Sequence, residues 1–312
     1  YDSPIATGGN REDLSDVIYD ITPTETPFLT AAKKGKATAI NHEWLKDALS
    51  AAADNKAIEG ADASPSAPSG RSRLGNYTQI LTKHAVVTGT QEIVLKGGGI
   101  KSEMAHQVAR RMKEMKRDLE YAILGLDNAK VAGNDSTARE LGSLSAYLGG
   151  NNWQDGGSGG VAPTGDGTDV MSGSLTPAAF TEAKLKTGLE ALWDRSSAEN
   201  ILMFSGKKQR GILSTFTGSS TRYATTDDRK LVASIDVYDG DFQTVTVVPD
   251  RFCIASKVFL VDPEYVKIAD LRPISKSDLG TTGDSERKQI VWETTLEVCN
   301  PDAHHQIVNL TT

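Results

Sequence analysis

From Ile100 to Leu126 the apolar residues recur every three or four positions: Ile100, Met104, Val108, Met112, Met115, Leu119, Ile123 and Leu126. That period lines one face of an α-helix. Lys101, Glu103, Arg110, Arg111, Lys113, Glu114, Lys116, Arg117, Asp118 and Glu120 fall between them, which assigns the other face to water or a charged neighbour. Gly97, Gly98 and Gly99 mark the start, Ser102 suits an N-cap, and Gly133 with Asn134 suits a left-handed stop after Ala132. The pattern predicts a helix over 100–132, on the order of 50 Å long at ~1.5 Å of rise per residue. Its apolar spacing averages about 3.7 residues, wider than the 3.5 of a coiled-coil seam, and strand patterns flank it. A long helix with one apolar face needs an equally long partner, so we expect strands packed along it in a mixed α+β subunit.

Ahead of this helix, Leu14, Val17, Ile18 and Ile21 give a short amphipathic helix cut off at Thr22-Pro23. Thr26-Pro27 starts another, carrying Phe28, Leu29, Ala31 and Ala32. Neither can bury much against the other, so this arm needs something else to lie on, a partner subunit being one candidate. Thr38–Leu45 alternates, with Ile40, His42 and Trp44 on one face, and predicts a strand. Strand character returns at Asn76–Gly89 through Tyr77, Ile80, Leu81, Val86 and Val87. Between them, 50–70 is almost entirely Ala, Ser, Pro, Gly, Asp and Asn, with Ile58 as its large apolar residue. Two strands joined by a roughly 25-residue polar tip make a long projecting hairpin, a length uncommon in compact domains unless it has a function.

After the helix come Leu141–Leu148 and a glycine-dense run, 149–173, expected to be a surface loop with no core of its own. Thr176-Pro177 then opens a helix through Asp194, with Phe180, Leu185, Leu189, Leu192 and Trp193 inward. A buried strand at Ile201–Phe204 and a helix at Lys207–Phe216 follow. Further strands are expected at Val232–Tyr238, Thr244–Val248, Lys257–Val261 and Tyr265–Ala269. Lys288–Cys299 places Ile290, Trp292, Thr294, Leu296 and Val298 on one side and Gln289, Glu293, Thr295 and Glu297 on the other. It is on the order of 40 Å long. A turn at Asn300-Pro301-Asp302 and a return over Gln306–Leu310 would form a strand pair along the helix.

Composition narrows the function. The 312 residues are 38% hydrophobic, and no run of about 18 apolar residues marks a membrane span. No signal-peptide pattern is visible, and two cysteines, Cys253 and Cys299, are too few for a disulfide scaffold and fit a reducing compartment. A formal charge of -7 argues against a protein whose main task is gripping nucleic acid. Acid is concentrated at the start, where Asp2, Glu12, Asp13, Asp16, Asp20 and Glu25 face only Arg11. Such an end suits a basic neighbour, or it is a solvated face.

The chemistry-bearing motifs are weak. The strand, glycine turn and helix over 93–104 has the layout of a phosphate loop, but Ile100 separates Gly99 from Lys101 and the upstream glycine is missing, so it reads as a helix start. Gly165-Asp166-Gly167-Thr168-Asp169 lacks the spacing of a calcium loop. His304 and His305 are adjacent and alternate across a strand, so they do not share a metal. No Gly-x-Ser-x-Gly elbow occurs, and both cysteines read as small core residues. We expect no catalytic, cofactor-binding or metal residues. Lys56 beside Asn55 is a solvated lysine before it is a crosslinking one, and Trp153, among glycines, is the tryptophan placed for an exposed contact.

The order of acidic arm, projecting hairpin, long helix, α/β lobe and long strand resembles the major capsid proteins of tailed bacteriophages, the Hong Kong phage type fold shared with herpesvirus capsid floors. Asp16–Leu29 (DVIYDITPTETPFL), Asp236–Phe252 (DVYDGDFQTVTVVPDRF) and Leu279–Ile307 (LGTTGDSERKQIVWETTLEVCNPDAHHQI) look like segments of one capsid subfamily. The run 149–173 departs from it as an insertion. The resemblance implies an N-terminal arm over 1–37, an extended loop hairpin over 38–95 and a spine helix of the peripheral domain over 96–133. It further implies a glycine-rich loop region over 134–176, an axial domain over 177–270 and peripheral return strands over 271–312. The implied function is a structural subunit that self-assembles as pentamers and hexamers into an icosahedral or prolate head around double-stranded DNA, which it adjoins without binding specifically.

The implied location is the virion, built in the host cytoplasm with no membrane, and scaffolding, portal and decoration proteins are possible partners. Candidate subunit-interface residues are Leu14, Ile18 and Phe28 on the arm, Lys56, Ile58, Arg71 and Arg73 on the hairpin, Arg110 and Arg117 on the helix, and Trp153. The alternatives are another self-assembling phage structural protein, or a soluble enzyme or ligand-binding protein with a mobile lid at 50–75. An enzyme should show convergent titratable residues near strand ends, which the sequence lacks.

Overall fold

A computed structural model describes residues 22–60, 62, 70–94, 100–197, 200–216, 237–240, 243–280 and 283–312. In chain order the helices are α1 (Pro27–Ala31), α2 (Gly89–Ile93), α3 (Glu103–Glu120), α4 (Leu144–Tyr147), α5 (Glu182–Trp193) and α6 (Lys207–Leu213). The strands are β1 (Lys33–Lys36), β2 (Asn41–Lys46), β3 (Ser72–Tyr77), β4 (Gln79–Thr88), β5 (Trp153–Asp155), β6 (Ser158–Val161) and β7 (Ser172–Thr176). They continue as β8 (Asn200–Ser205), β9 (Val237–Asp239), β10 (Thr244–Pro249), β11 (Val258–Val261), β12 (Val266–Asp278), β13 (Ser285–Val298) and β14 (His304–Val308).

The spine is α3. The Ser102 side chain caps it by accepting from the Ala105 N–H, and Met104, Val108, Met115 and Leu119 are buried as their spacing predicts. It ends earlier than the periodicity indicates. After Glu120 the chain widens into one π turn, Tyr121–Gly125, and then becomes extended. The expected helix through Ala132 is therefore corrected to 103–125, on the order of 35 Å.

Tertiary contacts override the local preference here. A Cβ at Gly125 would lie 2.3 Å from the Phe252 carbonyl oxygen, so this close crossing requires glycine. The Leu124 carbonyl accepts from Ile254 N at 3.0 Å. Beyond it, Lys130 Nζ donates to the carbonyls of Gly75 (2.8 Å) and Asp166 (2.7 Å), and Val131 bridges Glu140. The glycines at 97–99 lie outside the described residues.

The stripe of α3 is covered by a four-stranded sheet of order β1-β12-β13-β4, in which β13 pairs antiparallel with both β12 and β4. Its 14 residues, Ser285–Val298, supply the long partner that the helix demands. The strand beside β13 is not the expected Gln306–Leu310. A 3-10 turn at Pro301–Ala303 carries the chain away instead, and β14 enters the second sheet, where all five of its residues are buried. β12 takes its place and runs to Asp278, well beyond the expected end at Ala269. The second face of β13 is covered too, so Glu293 and Thr295 are buried rather than solvated.

The second sheet has six strands, β5-β14-β11-β8-β10-β9. Ile201, Met203, Val258 and Leu260 pack with Leu185, Leu189 and Leu192 of α5 on one face. Phe204, Phe259 and Val261 point the other way into the core that contains Met115 and Leu119. Burial on both faces explains why β8 and β11 read as short continuous apolar runs.

Three further expectations change. The helix expected from Thr176-Pro177 begins only at Glu182, capped by Thr181, because Ser172–Thr176 is already paired with Ser158–Val161. Trp193, expected inward, is 55% exposed at the end of α5. The run 149–173 is not a coreless loop. It contributes β5 to the six-stranded sheet and then the β6–β7 hairpin, whose side is closed by Asn309 Nδ2 donating to Asp155 Oδ1 (2.8 Å) and to the Ser158 carbonyl (3.1 Å). Of the strand expected over Val232–Tyr238, only Val237 and Tyr238 fall within the described residues.

These contacts set two stability expectations for urea unfolding. Leu119→Ala should cost about 2–5 kcal/mol, the range for emptying a buried leucine site. Gly125→Ala should cost about 1–3 kcal/mol through overpacking against Phe252. An unchanged midpoint for Gly125→Ala would show that the helix does not end against that carbonyl.

Candidate assembly surfaces

β2 and β3 form an antiparallel hairpin in register from Asn41↔Tyr77 to Lys46↔Ser72. Its root is held by buried polar contacts. Asn76 Nδ2 donates to the Leu296 carbonyl at 2.9 Å, and Gly142 N donates back to Asn76 Oδ1 at 2.8 Å. The Thr78 hydroxyl donates to Glu293 Oε1 at 3.0 Å, and His42 Nε2 lies 3.0 Å from Glu297 Oε2. The ring of Trp44 sits 6.0 Å from that of Tyr147, whose hydroxyl donates to the Gly75 carbonyl.

Past Lys46, among the described residues, this support stops. Leu49 is 99% exposed and Ile58 84%. The candidate charges of the hairpin make only local, solvent-exposed pairs: Lys56 with Asp54 at 2.6 Å, Arg71 with Asp47 at 3.5 Å and Arg73 with Glu43 at 3.3 Å. Exposed pairs of this kind contribute about 0–1 kcal/mol, so they leave the tip open to a partner.

The arm candidates divide. Leu14 and Ile18 lie outside the described residues. Phe28, expected at a subunit contact, is buried in the chain's own core, 5.4 Å edge-on from the Phe204 ring. That correction has a polar cause at the last residue before the helix changes form. The buried Glu120 accepts from Phe28 N through Oε1 at 2.7 Å and from Leu29 N through Oε2 at 2.9 Å, fastening α1 to the spine. Burial first, and then the charge of Asp250, push the Glu120 carboxyl up to about 8, against the two N–H donors that pull it down. Asp250 is itself buried and raised, with burial as the main cause.

On the spine, Arg110 is exposed, and the guanidinium of Arg117 lies 5.5 Å from the centre of the Phe252 ring. Trp153, expected at an exposed contact, is half-buried in β5, with Gly160 packed close over its ring.

Sequence reasoning missed Glu120 and a second buried junction. Lys257, 1% exposed, donates to Asp127 Oδ2 at 2.7 Å and lies 3.3 Å from Ser145 Oγ, tying the end of the spine to the six-stranded sheet. Periodicity assigned Glu120 to the solvent face; its position next to Leu119, within a stretch of buried residues, was the available signal. His304 and His305 are buried on β14, and desolvation lowers them to about 4 and about 3. Among the described residues no group of three or more His, Cys, Asp or Glu is placed to hold a metal, and no helix is long and apolar enough to cross a membrane.

Comparison with known proteins agrees with this architecture. The family described as SU10 major capsid protein matches residues 4–311. A major capsid protein of Escherichia phage Phieco32 is 30% identical over 117 residues, which are 37% of this chain and 33% of that one. The aligned stretch is thus about a third of the curated relative. The capsid asymmetric unit of cyanophage A-1(L) superposes with a TM-score of 0.68 at 14% identity, covering 97% of this chain and 98% of that one. The capsid of the native GTA particle gives 0.64 at 13% identity, with 99% of both chains covered. The mature capsid of bacteriophage PhiM1 gives 0.61 at 9% identity, covering 97% and 92%. At these identities the structures share the fold.

The Glu120 fastening makes a pH expectation. Because its folded pKa lies above the ordinary 4.5 of a glutamate, the folded state holds this proton more tightly. The resulting stabilisation is complete below pH 4.5 and is lost as pH rises through about 8. Glu120→Gln cannot ionise, so its melting temperature should fall less than that of the native chain between pH 5 and pH 9. Parallel pH profiles would remove Glu120 as the titrating group.

Proposed function

The chain belongs to the SU10 major capsid protein family, and from that premise we propose that it is the repeating structural subunit of a phage head, assembled as pentamers and hexamers around double-stranded DNA. The observation that carries this reading is the hairpin, whose root is fixed by buried hydrogen bonds and whose far end presents Leu45, Leu49 and Ile58 to solvent. Covering such side chains is worth about 1.5–3 kcal/mol each, which a monomer forgoes and a neighbouring copy recovers. Each contact is modest, and a shell makes it many times over.

In this reading residues 1–37 are an arm, 38–95 an extended loop that lies on the adjacent subunit, and 96–133 the spine region of a peripheral domain. The glycine-rich region over 134–176 links them to a lobe over 177–270 that meets its counterparts around five- and six-fold axes, and 271–312 returns to the peripheral domain. The pairing of β14 with β11 supports counting His304–Val308 with that lobe. Of the interface candidates, Ile58, Lys56, Arg71 and Arg73 remain with the hairpin and Arg110 with the spine. Scaffolding, portal and decoration proteins are accessory partners, and assembly takes place in the host cytoplasm. The mobile-lid enzyme reading is set aside, since the family is structural.

Expressed alone, the chain should form rings or shells visible by negative-stain microscopy. Deleting residues 54–70 should leave the melting temperature of the subunit unchanged and reduce shell yield at least tenfold. Normal shells from the deleted chain would rule out the hairpin tip as the bracing contact, and a monomer at all concentrations would rule out the shell.

A further inference from the structure

The solvent face of α3 carries a run of basic residues. Ala105, Ala109, Arg110, Lys113 and Lys116 are exposed, and His106 and Arg117 are partly so. Each acid of the helix, the exposed Asp118 included, is already engaged. Glu103 accepts from Gln107 at 2.7 Å, Glu114 pairs with Arg111 at 2.8 Å, Asp118 pairs with Lys83 at 2.7 Å, and Glu120 is buried against α1. Arg110 and Lys116 have no ion-pair partner among the described residues.

At the C-terminal end the stripe continues through Arg117, held over Phe252, to Arg251. That side chain is largely exposed, with Glu25 at 4.0 Å. In a chain of net charge -7 this is a local reversal of sign. The two alanines keep the helix surface low between the long cationic side chains.

From residue 106 to 117 the stripe is roughly 17 Å long. Duplex DNA carries about one charge per 1.7 Å of axis, so it presents about ten phosphates over the same length. We propose that this stripe is the face of the subunit that meets duplex DNA, through the phosphate backbone alone and without reading sequence. The proposal rests on the shell reading, and it turns the exposed side of α3 towards the lumen. The acidic remainder of the surface keeps the contact weak and local, as a wall that must not hold its contents tightly requires. Lysine and arginine at a phosphate act by releasing condensed counterions, which gives the contact a measurable salt dependence.

The test uses the full-length chain, dissociated from shells, and a fluorescein-labelled 20-base-pair duplex followed by anisotropy at 50 and 200 mM NaCl. R110E/K116E should weaken binding at least tenfold at the lower salt. With about 0.9 of slope per phosphate contact, it should also flatten the log–log salt dependence by roughly two. The control K34E/K276E makes the same change in net charge at exposed positions of the four-stranded sheet and should change affinity less than threefold.

Equal losses in both pairs, or no detectable binding by the native chain at 50 mM, would overturn the proposal. So would a stripe that binds a polyglutamate peptide and not the duplex, since the partner would then be an acidic protein segment. Circular dichroism checks that each variant is folded, and R110Q/K116Q repeats the comparison without charge reversal. Shell formation scored in parallel separates the two ideas: native chains that fail to assemble count against the shell, whereas shells formed without DNA binding count against the stripe alone.

Discussion

One requirement organises this molecule: the apolar stripe of α3 must be covered along its whole length. A stripe of Met104, Val108, Met115, Leu119 and Ile123 contributes stability only when water is removed from all of it, at about 1.5–3 kcal/mol for each large side chain. No short element can do that, and the 14-residue β13 can. Because β13 is flanked by β4 and β12, it has no free edge. β4 follows directly from the hairpin, and β12 follows the short turn that leaves β11 of the six-stranded sheet. Covering the helix therefore also fixes the root of the hairpin and the position of the lobe.

The buried polar groups sit where these parts join. Glu120 fastens α1 to the spine, and Lys257 with Asp127 and Ser145 fastens the end of the spine to the second sheet. Glu293 takes Thr78, Arg139 and Arg272 together; burial alone raises its carboxyl, and the contacts from Arg272, Thr78 and Arg139 outweigh burial and leave it below its ordinary value. Glu297 does the same between His42 of β2 and Lys267 of β12. Buried charges of this kind are weak sources of net stability, because desolvation offsets most of their attraction. Their geometry is demanding, so they select one arrangement of the pieces.

The contrast between these joints and the hairpin tip gives the architecture its meaning. Within the chain the polar contacts are buried and directional, whereas beyond Lys46 the ion pairs are local and solvated and the apolar side chains are bare. A subunit built this way is rigid where its parts join and bare at the hairpin tip, the surface that the proposed shell would cover with a second copy. The basic run on α3 is a third kind of surface, cationic where the others are buried and polar or bare and apolar.

Much of this was legible in the sequence. Period and polarity marked the spine helix, the hairpin with its polar tip, the long alternation of β13 and the buried runs of β8 and β11, because each of these patterns follows from which sides of an element meet water. The end of the spine at Gly125, the pairing of β13 with β12 and the entry of β14 into the other sheet were decided by contacts between residues far apart in the chain. The same holds for the burial of Phe28 and Glu120. A periodic pattern records that a face will be buried, and it carries no information about what buries it; that depends on the backbone hydrogen bonds and close approaches that only the assembled fold brings together.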